Sequence, residues 1–238
     1  VLEPTVRYSL VVTGDTTGDG VLAVSDVAKA YRHATNKNLI TGGDLLAGDT
    51  NGDRSVDNND ARGLYTSLRS LSGNVPTPVS LDTKLNDGSV FIECDKTELN
   101  INESTTCRLN GHSDYAITSL SVDVVKLGSI ASISECEVNS NIWQGSAEDG
   151  KFILYTDRDV TGDFSIGSFV VTVGTSVNSG VVGARNVSFD GALDYQNYAV
   201  KNKSVPISVN EPGNEPGNEP GNEPGNEPGN EPGGEPGN

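Results

Sequence analysis

Asp15-Thr-Thr-Gly-Asp-Gly-Val-Leu-Ala-Val-Ser-Asp26 is followed 34 residues later by Asp49-Thr-Asn-Gly-Asp-Arg-Ser-Val-Asp-Asn-Asn-Asp60. Both stretches place oxygen-bearing side chains at positions 1, 3 and 5 and a carboxylate at position 12. A chain with this spacing is neither helix nor strand. It wraps around one point and offers it only oxygens, which suits a hard cation such as calcium. The expected ligands of loop one are Asp15, Thr17, Asp19, the carbonyl of Val21, and Asp26. Those of loop two are Asp49, Asn51, Asp53, the carbonyl of Ser55, Asp57 directly or through a water, and Asp60. Two loops in register, each leading into a similar helical pattern, predict two calcium ions rather than two surface turns.

The copies are unequal. Thr17 stands at position 3, where Asn or Asp is usual, so loop one has fewer charged ligands. Arg54 stands at position 6, where glycine normally supplies a positive φ without steric cost, and it adds a positive charge beside the ion. Position 8 is apolar in both, Leu22 and Val56, which predicts a short β-bridge between the loops. After each loop an apolar stripe at helical spacing begins: Val27, Ala30, Tyr31 and Ala34, then Ala61, Leu64, Tyr65 and Leu68. A middle helix is expected near Asp44-Leu-Leu-Ala47. So small a core implies that calcium supplies much of the folding free energy of this unit.

Beyond Asn74-Val-Pro-Thr-Pro78 the pattern changes to Val, Ile, Ser and Thr in period-2 alternation. Strands are expected at 89–93, 106–109, 120–125, 152–155, 169–173, 181–187 and 205–209, punctuated by turns at Asn86-Asp-Gly88, Glu148-Asp-Gly150, Thr161-Gly-Asp163 and Asp190-Gly191. Short strands with regular turns over ~130 residues argue for an all-β sandwich. Cys94 and Cys107 either bridge neighbouring strands or remain two of three half-buried thiols with Cys136. From Asn210 the chain repeats Asn-Glu-Pro-Gly without an apolar side chain, a composition that predicts a disordered, solvated spacer. The division expected is therefore 1–74, a small all-α calcium-binding unit; 75–79, a linker; 80–209, the sandwich; and 210–238, the disordered Pro/Gly-rich tail.

With a net charge of −17 the chain repels phosphate backbones, so nucleic acid is not an expected partner. It contains no run of 18 apolar residues, so no membrane span is expected in this segment.

Residues of about 10–72 resemble a dockerin: two calcium loops of EF-hand type, each followed rather than flanked by a helix, and each opened by Gly-Asp at 14–15 and 48–49. The resemblance implies a non-catalytic plug that binds a cohesin domain on another protein. It implies contacts from Val24, Ser25 and Arg32 in copy one and from Asn58, Asn59 and Thr66 in copy two. Tyr31 and Tyr65 are expected in the core. The second half of the β region, from Gly150-Lys-Phe-Ile-Leu-Tyr-Thr156 to Val205-Pro-Ile-Ser-Val209, resembles the closing strands of cohesin-like sandwiches. Its first half is equally compatible with a bacterial Ig-like module. If cohesin-like, the sandwich is expected to receive a dockerin of another protein or to pack on a carbohydrate-binding partner.

No nucleophile elbow, phosphate loop or zinc motif appears. Glu148, Asp149, Asp157, Asp159 and Asp163 fall in expected turns rather than as an acid and base pair, and no enzyme is expected in this segment; a catalytic module upstream of Val1 is compatible with it. The expected function is calcium-dependent assembly in an extracellular protein, secreted or attached to a cell wall, of a cellulosome-like or cell-surface complex. Two alternatives are a calcium-stiffened stalk or adhesin segment, and a polysaccharide-binding sandwich using Trp143 with Tyr155.

Overall fold

The computed structural model describes residues 10–71, 84–176, 178–195 and 197–210. The expected linker at 75–79 lies outside them, as does the tail, apart from Asn210. Three helices come first: α1 (Val24–Ala34), α2 (Gly43–Gly48) and α3 (Asn58–Ser70). Each long helix starts where a loop's last carboxylate accepts a hydrogen bond from the backbone just before the helix. Asp26 accepts from the Ala23 amide at 2.8 Å, and Asp60 from the Asp57 amide at 3.0 Å. Asp57 itself caps α3 by accepting from the Asn59 amide at 2.7 Å. The same side chain thus closes a loop and starts a helix.

The remainder is β: β1 (Lys84–Cys94), β2 (Glu98–Asn100), β3 (Ser104–Gly128), β4 (Ile130–Val138), β5 (Gln144–Glu148), β6 (Lys151–Val173), β7 (Gly180–Gly191), β8 (Asn197–Lys203) and β9 (Val205–Asn210). They pair in the order β2-β9-β7-β8-β1-β3-β6-β4, with β5 beside β6. The first half of β3 pairs with β1 and its second half with β7, while β6 runs antiparallel to it along most of its length. Two long bent strands are therefore shared by both layers of the sandwich.

Two expected turns are corrected by this continuity. Thr161-Gly-Asp163 lies inside β6, with Gly162 at φ +71° absorbing the bend. Asn86-Asp-Gly88 lies inside β1, where the register shifts between Leu85 and Ser89 against the parallel β8. A bulge lets a strand carry turn residues without ending. Glu148-Asp-Gly150 is a true two-residue hairpin turn joining β5 and β6, with Asp149 at φ +50° and Gly150 at φ +80°.

Inward residues of the strands form one core around Leu109, Leu120, Phe152, Leu154, Phe169 and Phe189. Trp143 belongs to it. It is 1% exposed, donates its indole N–H to the Ser165 carbonyl at 3.2 Å, and meets Phe164 edge-on. A sugar-stacking role for Trp143 is thereby corrected, because neither ring face reaches the surface. Cys94 and Cys107 are directly opposite on β1 and β3 and form a disulfide, leaving Cys136 unpaired.

The disulfide closes a sequence separation of 13 residues. Replacing both Cys94 and Cys107 by Ala is expected to cost about 2–3 kcal/mol of unfolding free energy. Equilibrium urea unfolding of the variant against the parent chain measures it.

Candidate functional site

Strand alternation decides what the outer face of β6 shows. Phe152 and Leu154 point into the sandwich and are fully buried, so Ile153, Tyr155, Asp157 and Asp159 fall on the opposite face. Yet Ile153 is only 6% exposed. On β3, four consecutive residues, Ile117 to Leu120, are buried where alternation would leave every second one open. The cover comes from the helices. Ile153 joins the cluster formed by Val24, Val27, Ala30, Ala61, Leu64 and Leu68, with Tyr155 packed against it.

Tyr155 is the centre of this contact. Tyr31 of α1 meets its ring at 5.3 Å and 77°, and Tyr65 of α3 at 5.5 Å and 54°. The two equivalent tyrosines of the repeat pack against the helical core, as expected, and also reach across to the sandwich. The apolar stripe of each helix simply continues onto the sandwich.

Arg32, one residue further along α1, is 5% exposed. Its guanidinium bonds to Asp159 at 2.9 Å, donates to the Asp157 carbonyl at 3.2 Å and lies 3.5 Å from the Thr118 hydroxyl. Its Nε has no acceptor among the described residues. Around this anchor, Asn38 donates to the Tyr195 hydroxyl at 3.0 Å and Lys29 stands 5.6 Å over the Tyr195 ring. On the α3 side, Tyr65 donates to the Ser146 hydroxyl at 2.6 Å, and Arg69 pairs with Glu148. The seam is tight under α1. Beside α3 it opens into a cleft of about 680 Å³ lined by Tyr65, Arg69, Glu148 and Lys151 among others.

The two sets of expected partner contacts part company here. Val24, Ser25 and Arg32 are buried within the chain, Val24 in the helical core and Arg32 against the sandwich. Asn58, Asn59 and Thr66 are exposed. Missed in the sequence were the residues opposite: Thr118, Ser146, Ile153, Tyr155, Asp157, Asp159 and Tyr195. Asp157 and Asp159 were expected in a turn and lie within β6 instead. A signal existed, an Ile, a Tyr and two Asp spaced by two on one strand face.

The loops wrap as their spacing requires. Asp15 accepts the amides of Gly18, Asp19 and Gly20; Asp49 accepts those of Gly52, Asp53 and Arg54. Thr17 lies 3.4 Å from Asp15, and Asn51 lies 2.9 Å from Asp53, so positions 1, 3 and 5 face one another. Position 6 takes a positive φ in both copies, +87° at Gly20 and +72° at Arg54. Leu22 and Val56 pack on the helical core, and no β-bridge is formed at either, which corrects that expectation. The position-12 carboxylates are drawn toward backbone donors: Asp26 holds the Thr17 amide, and Asp60 the amides of Thr50 and Asn51. Among the described residues no three His, Cys, Asp or Glu side chains converge on one point. The residues fit calcium in donor type and in their order along each loop, while the first and last carboxylates of both loops are engaged by backbone amides.

The copies differ electrically as well. Burial, outweighing the amide donors of Ala23 and Thr17, pushes the Asp26 carboxyl up to about 6. At Asp60 burial acts in the same direction, but the donors from Asp57, Thr50 and Asn51 prevail and hold it below its ordinary value. Loop one leads into the helix that lies on the sandwich, and its last carboxylate is the more desolvated.

No family profile matches the chain, and no curated protein matches it. Solved structures similar to it are cohesin domains, at low identity over about half the chain. A non-cellulosomal cohesin from the archaeon Archaeoglobus fulgidus has 11% identity and a TM-score of 0.41, over 52% of this chain and 92% of that one. The third ScaB cohesin of R. flavefaciens in complex with a group 1 dockerin has 15% identity and a TM-score of 0.41, over 53% and 98%. A type I cohesin–dockerin complex from Clostridium thermocellum has 12% identity and a TM-score of 0.38, over 54% and 99%.

Arg32→Ala is expected to lower unfolding free energy by about 2 kcal/mol, since it removes a buried guanidinium and leaves the acceptors on Asp157, Asp159 and Thr118 without it. Asp159→Ala is expected to cost less than about 1 kcal/mol, because Asp159 is largely exposed and Arg32 keeps its other acceptors. Denaturant unfolding of both single variants and the double variant resolves the difference.

Proposed function

We propose that this chain is a non-catalytic, calcium-dependent assembly module of an extracellular protein. Its helical unit is a dockerin-like plug and its sandwich a cohesin-like receptor for plugs of that kind. The observation that carries this reading is the seat itself. The repeated-loop unit seats copy one through Arg32 and Tyr31 on the outer face of β3 and β6, with Tyr65 and Arg69 of copy two at the edge of the contact. The contact is rich in Tyr and Arg, which is the anatomy of a surface between folded partners rather than of a domain core.

Calcium enters this reading through the loops. Asp15, Thr17, Asp19, the Val21 carbonyl and Asp26 would hold one ion, and Asp49, Asn51, Asp53, the Ser55 carbonyl, Asp57 and Asp60 the other. Each ion supplies positive charge that the loop carboxylates otherwise lack. Because Asp26 and Asp60 also start α1 and α3, filling the loops steadies the helices that carry Tyr31, Arg32 and Tyr65. The disulfide supports an extracellular location, since such bonds persist in oxidising compartments. Among the described residues no helix is long and apolar enough to cross a membrane.

Calorimetric titration of the chelator-treated chain with calcium chloride tests the proposal. Two binding events of unequal affinity are expected, with a rise in melting temperature on saturation. Absence of binding heat together with an unchanged melting temperature would overturn it. Arg54→Gly is expected to tighten loop two by roughly threefold or more. It relieves about 1 kcal/mol of left-handed strain, partly offset by glycine's greater freedom when unfolded, and removes a like charge from the ion.

A further inference from the structure

The sandwich has its own core, and the smaller apolar cluster of the helical unit runs across the seat to include Ile153 of β6. Across it run the Arg32–Asp159 and Arg69–Glu148 pairs, the Tyr65–Ser146 and Asn38–Tyr195 hydrogen bonds, and the rings around Tyr155. All of these are bonds between surfaces. The helices bring arginines and the sandwich brings carboxylates, so the two faces are complementary in charge. One stretch of chain, residues 72–83, connects them.

A second copy of the chain carries the same two faces. We propose that the contact is exchangeable: the helical unit of one copy seats on the sandwich of another, and two copies close into a reciprocal pair. Every bond of the seat re-forms in the exchanged pair, so no interaction energy is lost, which is why exchange of an intact element is a low-cost route to dimers. The balance is set by concentration. A connection of twelve residues reaches at most about 40 Å, so the two faces of one copy stay close to each other at any dilution. Dilute chains therefore close on themselves, and crowded chains, or chains whose own seat is blocked, pair. The net charge of −17 opposes unspecific association of copies, so pairing depends on the matched faces. This inference rests on the reading of the helical unit as a separable plug, and calcium is an independent arm of its test.

Complementation of two full-length variants gives that test. Arg32→Asp spoils the plug and leaves a sandwich with Asp159; Asp159→Arg spoils the sandwich and leaves a plug with Arg32. Each variant alone has like charges opposed across the seat, whether within or between copies, and is expected to sediment as a monomer. Mixed in equal amounts at roughly 100 µM, where a micromolar contact is saturated, they are expected to form a species of twice the mass. Between them Arg32 meets Asp159 again, and the introduced charges also oppose each other with opposite sign. The mixed pair is expected to be at least roughly 30-fold tighter than self-association of either variant. The double variant R32D/D159R in one chain, its own seat restored, is expected to remain monomeric when dilute.

Far-UV circular dichroism first checks that both variants are folded; if R32D has lost its helical signal, Arg32→Ser and Asp159→Arg are mixed and scored identically. Sedimentation is run with calcium chloride and with chelator. Pairing with calcium alone supports both the exchange and the calcium reading. Pairing under both conditions supports the exchange and overturns the calcium reading. A mixture that sediments as monomers under both overturns the exchange.

Discussion

Removal of Ile153 and Tyr155 from water is the constraint on which the arrangement of this chain depends. Both lie on the outer face of β6, where a sandwich ordinarily meets solvent. Covering a face that carries an Ile and a Tyr is favourable at about 25 cal/mol per Å² of apolar surface. The helical unit, with its own small core, gains from the same contact. Its stripe of Val27, Ala30, Leu64 and Leu68 is continued by Ile153, so the two bodies share one apolar surface. Polar bonds then fix the angle of docking. Arg32 accomplishes most of this because it is buried, reaches three acceptors, and lies beside the tyrosine cluster.

The internal repeat is symmetrical in sequence spacing and asymmetrical in use. Position 24 is Val where position 58 is Asn, and position 32 is Arg where position 66 is Thr. Only the first set can bury an apolar edge and anchor a carboxylate, so α1 rather than α3 lies flat on the sandwich and α3 stands beside a cleft. The loops inherit that difference. Asp26 sits in the more desolvated environment, while the donors around Asp60 keep its carboxyl charged at lower pH. The two equivalent carboxylates of the repeat thus sit in different electrostatic surroundings, one raised and one lowered from its ordinary value.

What could be read from the sequence was local. The twelve-residue loops, the helical stripes and the central segments of β1, β3, β6, β7 and β9 follow from spacings within a few residues. The continuity of β3 and β6 was hidden, because Gly162 and Asp163 signal a turn that the fold absorbs as a bend. The docking face was hidden for another reason. Tyr155 and Asp159 have an ordinary outward period on a strand, and their significance appears only with Arg32, which bonds across 125 residues of sequence to Asp157. A single chain read in order does not show which of its surfaces will meet. Tyr31 and Tyr65 illustrate the same limit, since their equivalence in the repeat was visible and their common target was not.

The burial of Arg32 has a consequence for how the contact withstands change. Three polar contacts converge on one side chain, so loss of a single acceptor leaves the others in place. The seat therefore tolerates a change at one of its acceptors better than a change at the arginine itself.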